Sequence, residues 1–161
     1  MPVRSITKDP KTLTMTVVAD FAAPIERVWA AWADPRQLER FWGPPGWPAT
    51  FTEHNLAPGG KAAYYMTGPD GTRSYGWWRI LRVDAPRSFE MEDGFADETG
   101  KPTQDMPEMR MRVSLDTVEG GTRMTSVTTF PSVEAMERLL GMGMEEGLKA
   151  ALGQLDQVLG S

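Results

Sequence analysis

The sequence contains no cysteine and a single histidine in 161 residues. The first absence excludes disulfides, thiolate metal sites, CxxC redox chemistry and a cysteine nucleophile, and it fits a reducing compartment. With His54 alone, a histidine-rich metal site cannot be built, and HExxH does not occur, so no metal is expected. Positive charge is also short: 17 Lys and Arg stand against 22 Asp and Glu, a formal net charge of −5. A small acidic chain lacks the basic footprint that phosphate contacts need, so no nucleic-acid partner is expected. No run approaches the roughly 18 apolar residues of a membrane span, and no apolar segment follows Arg4 as a signal peptide would require. The phosphate-cradling GxxxxGK[ST], the dinucleotide motif GxGxxG and a Ser/His/Asp arrangement are missing too, so no cofactor is expected. The expectation is a cytoplasmic protein with one domain over residues 1–161, long enough to bury a core without covalent staples.

What the chain has in excess is methionine and tryptophan, 11 and 6, beside 6 Phe and 3 Tyr. Methionine is flexible and polarizable, suited to irregular cores and to surfaces that adapt to varied partners. Residues 1–11 read as a polar tail. Leu13, Met15, Val17, Ala19 and Phe21 then share one parity, the mark of a half-buried strand. Pro24 opens a helix whose apolar face carries Ile25, Val28, Trp29 and Trp32. Asp34 caps a second, with Pro35 in its first turn and Leu38, Phe41 and Trp42 as its stripe. Residues 43–48, rich in Pro and Gly, form a rigid loop. Six strands follow, at 50–56, 61–67, 74–83, 87–93, 108–118 and 122–130, punctuated by Pro58-Gly59-Gly60, Gly68-Pro69-Asp70-Gly71 and Glu119-Gly120-Gly121. Residues 94–107 are left as a long loop, either a lid or an insertion. Ser132 caps a long C-terminal helix over 133–159, a rod of roughly 40 Å. On a helical wheel Met136, Leu140, Gly143, Met144, Gly147, Ala151, Leu155 and Val158 oppose the charged arc.

The order β-α-α-β6-α predicts an α+β fold, a curved, mostly antiparallel sheet of about seven strands gripping the terminal helix. That order resembles the activator-of-Hsp90-ATPase-like branch of the START-related (SRPBCC, helix-grip) superfamily. The residues that carry the likeness are Phe21-Ala22-Ala23-Pro24-Ile25-Glu26-Arg27-Val28-Trp29 with Trp32, then Asp34-Pro35 with Leu38. Phe41-Trp42-Gly43-Pro44, Leu56 with Pro58-Gly59-Gly60, and Met142-Gly143-Met144-Glu145-Glu146-Gly147 complete it. The resemblance implies a deep cavity between sheet and long helix, often suited to an apolar small molecule. It implies no single reaction, since the superfamily includes lipid carriers, cyclases and hydroxylase domains. The chaperone-activating members carry an additional N-terminal domain for which this chain has no room, which argues against Hsp90 as a partner.

Gly143 and Gly147 are the most telling pair. Each costs helix stability relative to Ala, and their spacing places both toward the sheet. Either the helix packs closely on a strand there, or the missing side chains leave space for a ligand beside Met136, Leu140 and Met144. Strand parity supplies a facing wall in Met109 and Met111, and in Met124, Ser126 and Thr128, whose hydroxyls would anchor a ligand in an apolar pocket. Tyr64, Met66, Tyr75, Trp77, Phe89 and Met91 are further wall candidates. Candidate acid–base groups are His54, Glu137 near the start of the last helix, and Tyr64. Three functions stay open: binding of a small hydrophobic or aromatic molecule, an SRPBCC enzyme of cyclase, dehydratase or hydrolase type using the same cavity, and a chaperone-associated interaction module. A homodimer sealed by exposed tryptophans is compatible with each.

Overall fold

The structure is a computed structural model that describes residues 2–104 and 106–160. Eight strands, β1 (Val3–Asp9), β2 (Thr14–Phe21), β3 (Ala49–His54), β4 (Lys61–Thr67), β5 (Arg73–Asp84), β6 (Ser88–Ala96), β7 (Met109–Val118) and β8 (Gly121–Thr129), build one sheet. Its order is β1-β2-β8-β7-β6-β5-β4-β3, and every neighbouring pair is antiparallel. The helices are α1 (Ile25–Ala33), α2 (Pro35–Leu38), α3 (Val133–Gly141) and α4 (Met144–Leu159). This is the expected α+β architecture with one more strand. Among the described residues no helix is long and apolar enough to cross a membrane.

Three expectations are corrected. Residues 3–9 are not a tail but an edge strand, with Ile6 opposite Val17 and Lys8 opposite Met15. Its Arg and Lys side chains are exposed, a common way to protect a sheet edge, and they mask the alternation by which strands are recognised. The terminal helix is not one rod. It breaks at Met142-Gly143, where Gly143 takes φ 90°, a left-handed conformation that glycine adopts without the Cβ clash of other residues. The loop at 94–107 is partly strand, because β6 runs on to Ala96. Beyond it Ala96 bridges to Pro102, and the Thr103 N–H donates to the Phe95 carbonyl at 2.9 Å. Asp105 of that segment lies outside the described residues, as do Met1 and Ser161.

Alternation fixes the two faces of the sheet. Met15, Val17, Ala19 and Phe21 on β2, Val113 and Leu115 on β7, and Met124 on β8 are all buried on the concave side. α1 turns Val28, Ala31 and Trp32 inward, and α4 adds Leu152, Leu155 and Val158. At the β3–β5 end the interior is filled by rings. Trp32 lies 5.1 Å from Phe41 and 5.3 Å from Phe89, and Trp42 is 5.0 Å from Trp78, centroid to centroid. Each such edge-on or tilted pair adds about 0.5–1.5 kcal/mol beyond area burial. This aromatic block holds α1 and α2 over one end of the sheet and leaves the other end to α3 and α4.

Candidate functional site

Under α3 and the first turns of α4 the packing is incomplete, leaving a cavity of about 280 Å³. The sheet contributes Met66 and Tyr64 from β4, Asp93 and Phe95 from β6, Met109 and Met111 from β7, and Thr128 from β8. The helical side supplies Leu139, Met144, Gly147, Leu148 and Ala151, and Trp42 and Pro44 close the end nearest α2. Met142, 58 % exposed, and the exposed Ser74 mark the rim.

Tyr64, Met66, Met109, Met111, Thr128, Gly143, Met144 and Gly147 of the expected wall therefore meet around one space. Tyr75 borders it too, though its ring packs 5.7 Å from Tyr65 on the outer face. The remaining candidates lie elsewhere. Phe89, Met91, Met124, Ser126 and Met136 are buried in the core away from the cavity, and Leu140 packs half-buried against it. Trp77 stands on the outer face, because its neighbour Trp78 takes the inner one. Its ring covers Gly94, where an added Cβ would come within 2.9 Å of it, and its indole N–H donates to the Phe95 carbonyl at 3.1 Å.

The acid–base candidates are dispersed. Glu137 is exposed on α3. His54 does not border the cavity; its Nε2 lies 2.8 Å from the Trp32 carbonyl oxygen, and burial lowers its pKa. Tyr64 is held as a neutral phenol: burial raises its pKa, the nearby Asp93 charge adds to this, and the indoles of Trp42 and Trp78 oppose it. Of the six tryptophans, Trp32, Trp77 and Trp78 are buried and Trp29, Trp42 and Trp47 half-buried. Among the described residues no three His, Asp or Glu side chains group as a metal site would require.

The residue that sequence reasoning passed over is Asp93. Parity carries Phe89 and Met91 on to Asp93 and Phe95, so an acidic residue continues an otherwise apolar stripe. Asp93 is 8 % exposed, and its Oδ1 has no hydrogen-bond partner. Burial disfavours the charged form and pushes the carboxyl up to about 7, with its own backbone N–H pulling weakly the other way. Around it the wall holds no Lys, Arg, His or Glu among the described residues, so no ion pair offsets this charge. The Trp42 indole N–H is unpartnered as well; it approaches the Tyr64 hydroxyl without completing a hydrogen bond. The site is thus an aromatic and thioether-lined cavity with one uncompensated carboxyl in its wall.

A single antiparallel sheet wrapped on C-terminal helices, with a cavity between them, is the helix-grip architecture of SRPBCC-like proteins. The chain belongs to the activator of Hsp90 ATPase homolog 1-like family, whose model matches residues 22–160. Among solved structures it is 52 % identical to a protein from Arthrobacter aurescens, over 97 % of this chain and 91 % of that one, with a TM-score of 0.93. Protein Ms6760 from Mycobacterium smegmatis is 48 % identical, over 98 % and 97 % of the two chains, with a TM-score of 0.91. The AHSA1 protein from Silicibacter pomeroyi, 20 % identical over 91 % and 97 %, shares the fold at a TM-score of 0.74. No curated protein matches the chain significantly.

Proposed function

We propose that this protein binds one small hydrophobic or aromatic molecule in the cavity between the sheet and α3–α4. The observation that carries the reading is the cavity itself, about 280 Å³ walled by Met66, Met109, Met111 and Met144 and by the rings of Trp42, Tyr64 and Phe95. A cavity of about 150 Å³ is enough to hold benzene, so this one suits a ligand of about two fused rings. Thioethers conform to such a guest, and Asp93 and Thr128 give the few polar groups that orient it. The absence of cysteine suits a reducing compartment, and the cytoplasm is the proposed location.

Gly147 provides the test. It borders the cavity in a helical conformation, and a Cβ added there would meet no atom within 4 Å. Gly147→Leu therefore grows a side chain into the space without backbone strain. Calorimetric titration with 2-methylnaphthalene is expected to show saturable one-to-one binding that weakens at least tenfold in Gly147→Leu. A properly folded Gly147→Leu that binds the probe as well as the parent would overturn the reading. Native mass spectrometry of freshly purified protein should also show an added mass that is lost on denaturation.

A further inference from the structure

Resting on that reading, the inference concerns which molecule the cavity selects. We infer that the ligand is a flat aromatic amine, about two rings in size, whose basic nitrogen sits against Asp93. Asp93 is more than nine-tenths buried in the cavity wall, and its Oδ1 is an acceptor left without a partner. Oδ1 is enclosed by protein, so it is the part of the Asp93 carboxyl bordering the cavity that meets a guest, and a positively charged donor placed there supplies the ion pair that the protein withholds. The other titratable side chains on the described wall are Tyr64 and Tyr75, so no protein cation competes for the carboxyl.

The surrounding rings point the same way. Trp42, Tyr64 and Phe95 border the same space as Asp93, and an aromatic face attracts a cation through its quadrupole. An anionic guest finds the reverse: a carboxylate in the wall, no Lys or Arg to pair with, and burial that disfavours its own charge. A hydrocarbon fits the thioethers and rings but leaves the Asp93 carboxyl without an ion pair. Selectivity among molecules of equal shape therefore comes from the group placed at Asp93, in the order amine, hydrocarbon, carboxylate.

Three probes of matched shape test this order by calorimetric titration at pH 7: 2-aminoquinoline, 2-methylnaphthalene and 2-naphthoate. The expected result is that 2-aminoquinoline binds at least tenfold tighter than either of the others. Asp93→Asn and Asp93→Leu should each erase that preference, with folding followed by thermal melts. If 2-naphthoate binds as tightly as the amine, or the amine preference survives both substitutions, the inference is overturned. Binding of 2-methylnaphthalene without an amine preference overturns the inference and leaves the cavity reading standing, whereas failure of all three probes to bind overturns both.

Discussion

Replacing Asp93 by Asn is expected to stabilise the unliganded protein, and to do so more strongly as pH rises. Burial holds the Asp93 carboxyl at about 7 against an ordinary 3.8. Below pH 3.8 the group is protonated in both the folded and the unfolded chain and contributes no pH dependence. Between the two values the folded protein keeps a proton that the unfolded chain has released, so stability falls with rising pH; above about 7 the loss is complete. The two values differ by about three pH units, and at 1.36 kcal/mol per unit the full loss is about 4 kcal/mol. About 2–3 kcal/mol of it falls between pH 5 and pH 8. Tyr64, the titratable group whose pKa responds to Asp93, is raised and stays neutral throughout this range. Asn cannot ionise, and every other titrating group contributes alike to both proteins, so the difference between their stabilities isolates Asp93. Urea unfolding at pH 5, 6, 7 and 8 gives that difference from the midpoints at constant slope. The advantage of Asp93→Asn should grow by about 2–3 kcal/mol from the lowest pH to the highest. A difference that does not change with pH would show that the carboxyl is solvated or paired, and the site described above would be wrong.

The two glycines of the terminal helices should respond in opposite directions. Gly147→Ala is expected to stabilise by about 0.5–1 kcal/mol, since its conformation is helical and its added methyl meets nothing within 4 Å. Gly143→Ala should destabilise by about 1–2 kcal/mol because of its φ of 90°, and thermal melts giving the reverse order would rule out the break between α3 and α4. Ser132→Ala should cost about 1 kcal/mol by removing the side chain that accepts from the Ala135 N–H at 3.0 Å, with a lowered urea midpoint as the measure.

Strand alternation is legible because its period is fixed by the backbone, and it placed Met109, Met111 and Thr128 on the inner face without any knowledge of the fold. It fails where both faces are covered. Trp77 and Trp78 are adjacent and both buried, and nothing in the pair says which one turns inward; that is decided by Gly94, which lets the Trp77 ring lie flat on the outside. Asp93 was within reach of the same parity argument, but ending the strand at 93 and starting a loop at 94 cut the stripe before Phe95 could show the carboxyl to be enclosed. The helical wheel failed for a different reason. It assumed one continuous rod, so the phase of α4 was carried across Gly143 into α3. That omitted Leu139 from the apolar arc, although Leu139 is buried on the cavity. Leu139 and Leu148 are unremarkable in sequence, since their role depends on how two helices meet.

The cavity is an expense that the sequence could have avoided. Kept wholly dry, 280 Å³ would correspond to about 7 kcal/mol at about 24 cal/mol per Å³, comparable with the entire stability of an ordinary domain at about 5–15 kcal/mol. The exposed rim at Met142 and Ser74 opens it to solvent. Two residues of its wall cost further stability, Asp93 as a buried carboxyl held at about 7 and Gly147 as a helical glycine with empty space beside it. Selection for a filled core alone would have replaced both, since larger apolar side chains at either position bury more surface. Both border the space that the proposed function assigns to a guest. It follows that Gly147→Leu and Asp93→Leu should each raise the melting temperature of the empty protein while weakening its hold on a guest, the first for every probe and the second most of all for the amine.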